Sequence, residues 1–175
     1  MRRAAPSGQS KFARKNLRQK VECPDSSGGS DVVTYAYDTS GAQMWRKDQA
    51  GTIVETSFDA AGRREHERVT TLASGFDDAV RRITTAYDST GRAQTVSSYD
   101  DATVGSGSVV NQVKSEWDGW GGLVRFAVDP DSAVDATGST APTKNVTYEY
   151  AKATSGRNTI RRTSATLAGA TVTYL

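Results

Sequence analysis

Few residues in this chain have the chemistry for nucleophilic or acid–base catalysis. The 175 residues include one histidine, His66, and one cysteine, Cys23. A nucleophile–base arrangement would have to use one of these two side chains. His66 lies in the run Arg-Glu-His-Glu-Arg, which indicates an exposed charged strand, and Cys23 precedes a proline and a Gly/Ser-rich linker. The sequence therefore predicts no enzyme activity, no cofactor and no zinc site built from His and Cys.

A series of aspartates is the next set with chemical potential, because paired carboxylates can cleave glycosidic bonds. Each of these aspartates follows an aromatic residue and precedes a glycine by three positions. Asp at the start of a turn accepts backbone N–H groups, and Gly adopts positive φ without steric cost. We therefore interpret the series as structural turns. The pairs are Asp38 with Gly41, Asp59 with Gly62, Asp88 with Gly91, and Asp118 with Gly121.

Two further acidic pairs, at residues 77–78 and 100–101, could in principle bind Ca²⁺. Neither has the spaced ladder of acidic residues with a central Gly and a distal Glu that a calcium loop uses. We expect solvated loops there and no metal site.

The residues before each turn have a strand pattern. A β-branched aliphatic residue stands four positions before each aromatic, and a Tyr, Thr or Ser stands two positions before it. Because side chains alternate between the two faces of a strand, these three positions share one face, and the other face is largely polar. The aliphatic residues are Val33, Val54, Ile83, Val113 and Val146.

The aromatic residues allow two interpretations. Since they share a face with aliphatic residues, we expect a packed ladder along the sheet. The alternative is a surface that stacks on sugar rings, for which Trp45 and Trp120, outside the ladder, are the candidates. The expected ladder consists of Tyr35, Tyr37, Phe58, Tyr87, Trp117, Tyr148 and Tyr150.

Composition favours an all-β protein. Val greatly outnumbers Leu, and Thr and Tyr are frequent, a bias that suits pleated strands. No apolar run approaches the ~20 residues of a transmembrane helix. The first thirty residues also lack the apolar stretch of a signal peptide.

Charge is unevenly distributed, although the net charge is only +2. Residues 1–20 hold seven Lys or Arg and no acidic residue. Residues 9–22 could form a short basic helix, which the following Pro and Ser/Gly run would end; a frayed tail is the alternative. No aromatic residue interleaves these charges in the way typical of a nucleic-acid interface, so no nucleic-acid partner is expected.

The repeated unit resembles the YD repeats of RHS proteins. An aromatic residue followed by Asp-x-x-Gly, often with Arg next, recurs at uneven intervals along the chain, and copies one and five begin with Val-Thr-Tyr-x-Tyr. The closest stretch runs from Tyr37 to Arg63, and the resemblance covers residues 31–175. The fourth copy departs from the pattern with two tryptophans, and the fifth has Ala151 in place of the Asp.

The resemblance implies an architecture and a function. In bacterial RHS proteins and insecticidal toxin complexes such repeats form β-hairpin ribbons that coil into a hollow shell around a toxic cargo. In teneurins a similar shell belongs to a cell-surface protein. We therefore expect a non-enzymatic structural segment of such a shell, from a secreted or cell-surface parent. Its partners would be the rest of a larger RHS protein or its cargo. The alternative function is a carbohydrate- or cell-surface-binding module.

The resulting domain division is a basic arm and linker over residues 1–30, disordered or partly helical, followed by a β region over residues 31–175. The last residues match the lead-in of a further copy, so we expect the β region to be incomplete at its C-terminus. Sequential antiparallel hairpins are expected. The predicted strands are 32–37, 42–47, 52–58, 63–71, 81–87, 92–98, 109–117, 123–128, 144–150, 157–165 and 170–175.

Overall fold

The computed structural model describes residues 17–22, 32–135, 143–151, 161–167 and 170–173. In this part of the chain, twelve strands form one antiparallel sheet in which each strand pairs with its neighbours in sequence. The strands are β1 (Lys20–Glu22), β2 (Val32–Tyr37), β3 (Gln43–Lys47), β4 (Ile53–Phe58), β5 (Arg64–Thr71), β6 (Arg82–Tyr87), β7 (Ala93–Tyr99), β8 (Val109–Trp117), β9 (Leu123–Asp129), β10 (Lys144–Ala151), β11 (Arg161–Leu167) and β12 (Ala170–Thr173).

The prediction of an all-β fold made of sequential antiparallel hairpins is confirmed. The predicted strands from 32–37 to 144–150 agree with the observed ones to within one residue at each end. The strand predicted at 157–165 is observed at Arg161–Leu167, and residues 152–160 lie outside the described residues. The last predicted strand is observed as Ala170–Thr173.

The expected helix over residues 9–22 is wrong at its C-terminal end. Lys20–Glu22 form β1, which places Val21 opposite Val33 of β2. The backbone of β2 offers this segment hydrogen-bond partners, whereas an isolated helix of this length is marginal in water. Residues 17–19 are described and form no helix either, and residues 9–16 lie outside the described residues.

The turns of the repeated motif share one geometry, in which the chain reverses through a bulge. At the second copy, the Asp59 amide donates to the Arg63 carbonyl and the Gly62 amide donates to the Asp59 carbonyl, both at 2.9 Å. Gly62 has a φ of +77°, in the left-handed region, and the pairing register shifts between Ser57 and Phe58. This combination of a four-residue turn and a left-handed glycine is the one predicted from the Asp-x-x-Gly spacing.

The two faces of the sheet differ in chemistry. Paired residues of neighbouring strands share a face, so the register Val96–Val113–Val128 forms a continuous aliphatic row. The opposite face carries ion pairs such as Arg68 with Glu55 at 2.8 Å. All described strands belong to this one sheet, and Ala127 is the only hydrophobic residue that it buries fully. The described part of the chain is therefore a single β layer without a second layer over its aliphatic face. It contains no helix long and apolar enough to cross a membrane.

Candidate functional site

The functional side chains of the repeated motif lie along one side of the sheet, at the ends of the strands. There β2, β4, β6 and β8 end in the Asp-x-x-Gly turns. In the third turn the Asp88 Oδ1 atom accepts the amides of Thr90 and Arg92, both at 2.9 Å, and the Thr90 hydroxyl at 2.7 Å. The first, second and fourth turns repeat the two amide contacts at distances of 2.7 to 2.9 Å. One carboxylate oxygen thus caps each turn.

The other carboxylate oxygen binds an arginine in two of these turns. Asp59 Oδ2 accepts Arg63 Nε at 2.7 Å, and Asp88 Oδ2 accepts Arg92 Nε at 2.7 Å. Both arginines immediately follow the turn glycine. Charge-assisted bonds of this kind orient the planar guanidinium and fix where its flat face lies.

Each oriented guanidinium then contacts the next repeat. The Arg63 guanidinium carbon lies 4.2 Å from the centre of the Tyr87 ring, and Arg92 lies 5.2 Å from the Trp117 ring. Both separations are within the range of cation–π attraction. The same arginines lie beside the next turn glycine, since a Cβ atom on Gly91 would be 3.1 Å from Arg63 Nη1. The motif therefore joins each repeat to the one that follows.

The aromatic residues complete this connection with a hydrogen bond to the preceding repeat. Tyr87 Oη donates to the Arg64 carbonyl at 2.7 Å, and Tyr150 Oη donates to the Leu123 carbonyl at 3.0 Å. Trp117 Nε1 makes the equivalent contact with Ala93 at 3.4 Å. In each case the acceptor is the first residue of the returning strand, which the pairing register brings beside the ring.

Two turns lack the arginine. Ala42 follows the first turn glycine. No arginine therefore lies beside Gly62 in the next turn, where a Cβ atom would have no heavy atom within 4 Å. Gly122 follows the fourth, and there the Tyr150 ring lies so close that its Cε2 atom would be 3.1 Å from a Cβ on Gly122. The first and fourth turns therefore have the capping aspartate but no arginine that bridges to the next repeat.

Hydrogen bonds to the turn carboxylates lower several of their pKa values below the ordinary value of 3.8. The Thr90 hydroxyl has the largest effect on the pKa of Asp88, and the Arg63 guanidinium has the largest effect on that of Asp59. For Asp38 the main cause of the lowered pKa is the Ser40 hydroxyl. All three bonds stabilise the charged form, so these turns are built around ionised carboxylates.

The remaining aromatic candidates occupy different environments. Tyr148 stacks under the Arg162 guanidinium at 4.2 Å, and Tyr35 lies opposite Arg46 in the β2–β3 pair. Trp45 is half-buried opposite Glu55, on the polar face, whereas the Trp120 side chain at the fourth turn is 83% exposed. The structure therefore separates the two proposed sugar-binding tryptophans onto different parts of the sheet, and sugar binding stays a prediction.

Sequence reasoning missed a buried arginine that organises the loop after β7. Arg82 is 3% exposed and donates to the carbonyls of Asp101, Thr103 and Ser106, while its guanidinium lies 4.0 Å from the Tyr99 ring. Tyr99-Asp100 is itself an aromatic–Asp pair, so this signal was present in the sequence. The glycine that follows it comes too late for the repeat spacing.

Of the two catalytic candidates, His66 lies among the described residues. His66 lies in a strand as predicted, but the expectation that it is exposed is wrong. Its side chain is 13% exposed, and its Nδ1 atom lies 3.0 Å from the Thr84 hydroxyl. Cys23 lies outside the described residues. No group of three potential metal ligands occurs among the residues that the structure describes.

No family model and no curated protein matches this chain. Solved structures do match it over 77% of its length, but the matched part is 7% of each of those chains. They include the crystal structure of TcdB2-TccC3-Cdc42, with 17% identity and a TM-score of 0.33, and that of TcdB2-TccC3-TEV, with 16% identity and a TM-score of 0.32. A Photorhabdus luminescens Tc holotoxin pore containing a TccC3 variant matches with 16% identity and a TM-score of 0.33. At these scores the similarity adds no argument to the geometry described above.

Proposed function

We propose that this chain is a non-enzymatic wall segment of a larger RHS-type shell. The observation that carries the proposal is the contact of Arg63 and Arg92 with the following repeat. Because the same motif both caps a hairpin and binds the next one, it suits a ribbon that continues by adding hairpins. A single β layer with its aliphatic face uncovered also suits a wall better than a compact domain.

The chemistry of the site supports a mechanical role. Of the motif residues, Asp and Gly build the turn, and Arg and the aromatic hold neighbouring hairpins together. In such a wall the bridges would resist separation of adjacent hairpins and so keep an enclosed cargo from solvent. This role requires no catalytic residue and no cofactor.

The first test is the gene sequence on both sides of this reading frame. We expect further aromatic–Asp-x-x-Gly copies there, at intervals similar to those that separate Tyr37, Phe58, Tyr87 and Trp117. Flanking sequence without any such copies would contradict the proposal.

The second test is protease protection of the full-length parent protein. Replacing Arg63 and Arg92 together by Gln should loosen the wall and speed digestion of enclosed sequence. The matched control is Arg64→Gln, because Arg64 is a neighbouring exposed arginine that pairs with Glu67 at 2.6 Å within its own strand. Equal digestion rates for both variants would contradict a bridging role.

If the double variant does not fold, Tyr87→Phe gives a milder test. It removes only the hydroxyl that donates to the preceding repeat and keeps the ring under Arg63. We expect a smaller acceleration of digestion in the same direction, and digestion at the wild-type rate would count against the inter-repeat contact as a wall element.

A further inference from the structure

The first strand, β1, pairs with β2 in a register that recurs through the sheet. Lys20 lies opposite Thr34 and Val21 opposite Val33, which stand three and four positions before the aromatic Tyr37. At the other junctions between copies, these places are held by the residues four and five positions after a turn glycine. The corresponding pairs are Trp45–Glu55 and Arg46–Val54, His66–Thr84 and Glu67–Ile83, Thr95–Lys114 and Val96–Val113, and Arg125–Thr147 and Phe126–Val146. By this register, residue 16 holds the place of a turn glycine.

The hydroxyl of Tyr37 gives the same alignment independently. Tyr37 Oη donates to the Arg18 carbonyl at 2.8 Å. In the later copies the acceptors of the ring groups are Arg64, Ala93 and Leu123, each of which comes two positions after a turn glycine. Arg18 is equivalent to these residues, so the turn glycine again corresponds to residue 16.

Leu17 lies where a bridging arginine lies at a later junction. A Cβ atom on Gly91 would be 3.1 Å from Arg63 Nη1, whereas one on Gly41 would be 3.8 Å from Leu17 Cδ1. Arg63 directly follows a turn glycine, so Leu17 should follow the residue equivalent to one. Register, hydrogen bond and side-chain contact therefore agree on residue 16.

The sequence before Leu17 matches the repeat at three positions. Residue 16 is Asn, which adopts positive φ more readily than other residues with a side chain. Phe12 precedes it by four positions, which is the spacing between the aromatic and the glycine in the other copies. Ser10 stands two positions before Phe12, where the other copies have Tyr, Thr or Ser.

Two departures hide this copy in the sequence. Ala13 stands in place of the capping Asp, and Gly8 stands in place of the β-branched aliphatic residue. A search for aromatic–Asp-x-x-Gly therefore misses it, and the lysines and arginines around it give the segment the composition of a basic arm.

The position of β1 leaves room for this copy. It is the first strand of the sheet, so one of its backbone edges has no strand beside it in the described part of the chain. Such an edge offers unpaired N–H and C=O groups to another strand. In the later hairpins the corresponding edge pairs with the strand that ends at the aromatic of the same copy, as β2 pairs with β3 and β6 with β7. Sixteen residues precede Leu17, which is enough for a short strand and a turn.

We propose that the free edge of β1 is a docking surface for this chain's own residues 8–12, which return to it through a turn at residues 13–16. The register of the later hairpins places Ser10 opposite Val21 and Phe12 opposite Arg18. The basic segment is then part of the sheet and not an arm that reaches for a partner. The inference does not depend on the wall function, because it concerns how this chain covers its own edge.

The direct test is NMR spectroscopy of the isotope-labelled whole chain. We expect cross-strand NOEs between the backbones of Ser10 and Val21 and of Phe12 and Arg18. NOEs between Val21 and Val33 are the internal control for the pairing of β1 with β2. The control NOEs without the two new ones would overturn the proposal, as would a run of helical NOEs over residues 9–19.

Substitutions of Asn16 distinguish a hairpin from a helix by the sign of their effects. Gly accepts positive φ without cost and Ala does not, whereas in a helix Ala is better than Gly. Hydrogen exchange of the β1 amides reports how often the edge opens. We expect Asn16→Gly to slow this exchange about two- to fivefold and Asn16→Ala to speed it by a similar factor. The opposite signs would mean a helix, and unchanged rates in both variants would mean that the segment does not pair with β1; either result overturns the proposal.

Restoring the missing cap should have the larger effect. Ala13→Asp supplies the carboxylate that accepts two amides in the first turn through Asp38. We expect it to slow exchange of the β1 amides about tenfold, as for hydrogen bonds to a charged group. The matched control is Ala5→Asp, which adds the same charge to the same basic segment outside the motif and should leave exchange unchanged. Equal slowing by the two variants would show a general charge effect and overturn the equivalence of residue 13 with the capping aspartates.

Discussion

The second and fourth turns have the same cap and differ in what they connect. Asp59 and Asp118 each accept two backbone amides through Oδ1, at distances between 2.7 and 2.9 Å. At the second turn Arg63 extends from Oδ2 to the Tyr87 ring of the next repeat. At the fourth turn Gly122 stands in place of the arginine, and the Tyr150 ring of the next repeat packs directly against the turn.

The comparison separates two functions of the repeated motif. Asp and Gly act within one hairpin, where they determine the reversal and its bulge. Arg and the following aromatic act between hairpins, where they add a nearest-neighbour contact. In repeat proteins stability is approximately the sum of such internal and neighbour contributions. A copy that keeps Asp and Gly but loses Arg should therefore form its hairpin and hold its neighbour less firmly.

Acid should weaken the first three capped turns together, and this is the largest effect that we expect. The folded pKa values of Asp38, Asp59 and Asp88 lie below the ordinary value of 3.8. The unfolded chain therefore binds more protons than the folded chain as pH falls through this region. The stabilisation is fully present above pH ~5 and is lost as pH falls through the folded pKa values. Urea midpoints measured at pH 7, 4, 3 and 2 should decrease steadily below pH 4.

A single substitution isolates the contribution of one turn to this acid dependence. Asp88→Asn keeps an oxygen in the position that accepts the Thr90 and Arg92 amides, but it cannot be protonated in this range. Its urea midpoint should be lower at pH 7 and should decrease less towards pH 2 than that of the wild type. Parallel pH profiles for the two proteins would exclude Asp88 as a source of the acid sensitivity.

Two turn glycines, Gly62 and Gly91, form a matched pair that measures how much the contact of Arg63 with the next repeat contributes to stability. Gly62 and Gly91 have φ values of +77° and +89°, so Ala at either position carries a left-handed penalty of about 1–2 kcal/mol. A Cβ on Gly62 meets no heavy atom, whereas one on Gly91 would be 3.1 Å from Arg63 Nη1. Gly91→Ala should therefore cost about 0.5–1 kcal/mol more than Gly62→Ala, the value of the displaced cation–π contact. Denaturant unfolding of both variants measures this difference.

The bridge can also be removed to check the origin of that difference. In an Arg63→Gln background the extra cost of Gly91→Ala should disappear, because the guanidinium that it displaces is absent. If the difference persists in this background, it arises from backbone strain at Gly91 and not from contact with the arginine.

Most of the fold was predictable because its signals are local. The Asp-x-x-Gly spacing determines each turn, and the alternation before it determines which residues share a face, so the bounds of β2 to β10 followed to within a residue. The misassigned segment, residues 20–22, has no such spacing. Its strand depends on pairing with β2, which is a tertiary contact that local propensity does not record.

The inter-repeat contacts were not predictable from the spacing alone. Arg63 and Tyr87 belong to different copies of the repeat, and only the sheet register brings them to 4.2 Å. The structure adds contacts between these rings and arginines, and the ladder of aromatics along the sheet stays a prediction. The exposed Trp120 could be proposed from its position outside the ladder.

The smallest expected effect is a gain, obtained by adding the missing bridge at the first turn. Ala42 holds the place of Arg63 one repeat earlier, and its amide is capped by Asp38 Oδ1 at 2.8 Å. Asp38 Oδ2 has no hydrogen-bond or ion-pair partner among the described residues, the next aromatic is Phe58, and the space beside Gly62 is open. In Ala42→Arg the guanidinium can therefore bind Asp38 and cover the Phe58 ring. The contact should raise the free energy of unfolding by about 0.5–1 kcal/mol.

The same substitution at the fourth turn should fail, and the contrast between the two variants is the sharpest test of the comparison. In Gly122→Arg the new Cβ would lie 2.9 Å from Asp118 Oδ2 and 3.1 Å from Tyr150 Cε2, so the ring and the carboxylate would both have to move. Moving the ring would also break the Tyr150 hydroxyl bond to Leu123. Urea unfolding of both variants should therefore give a raised midpoint for Ala42→Arg and an unchanged or lowered one for Gly122→Arg. Equal gains would mean that any added arginine stabilises this edge, and that the ring packed on the fourth turn does not take the place of the bridge.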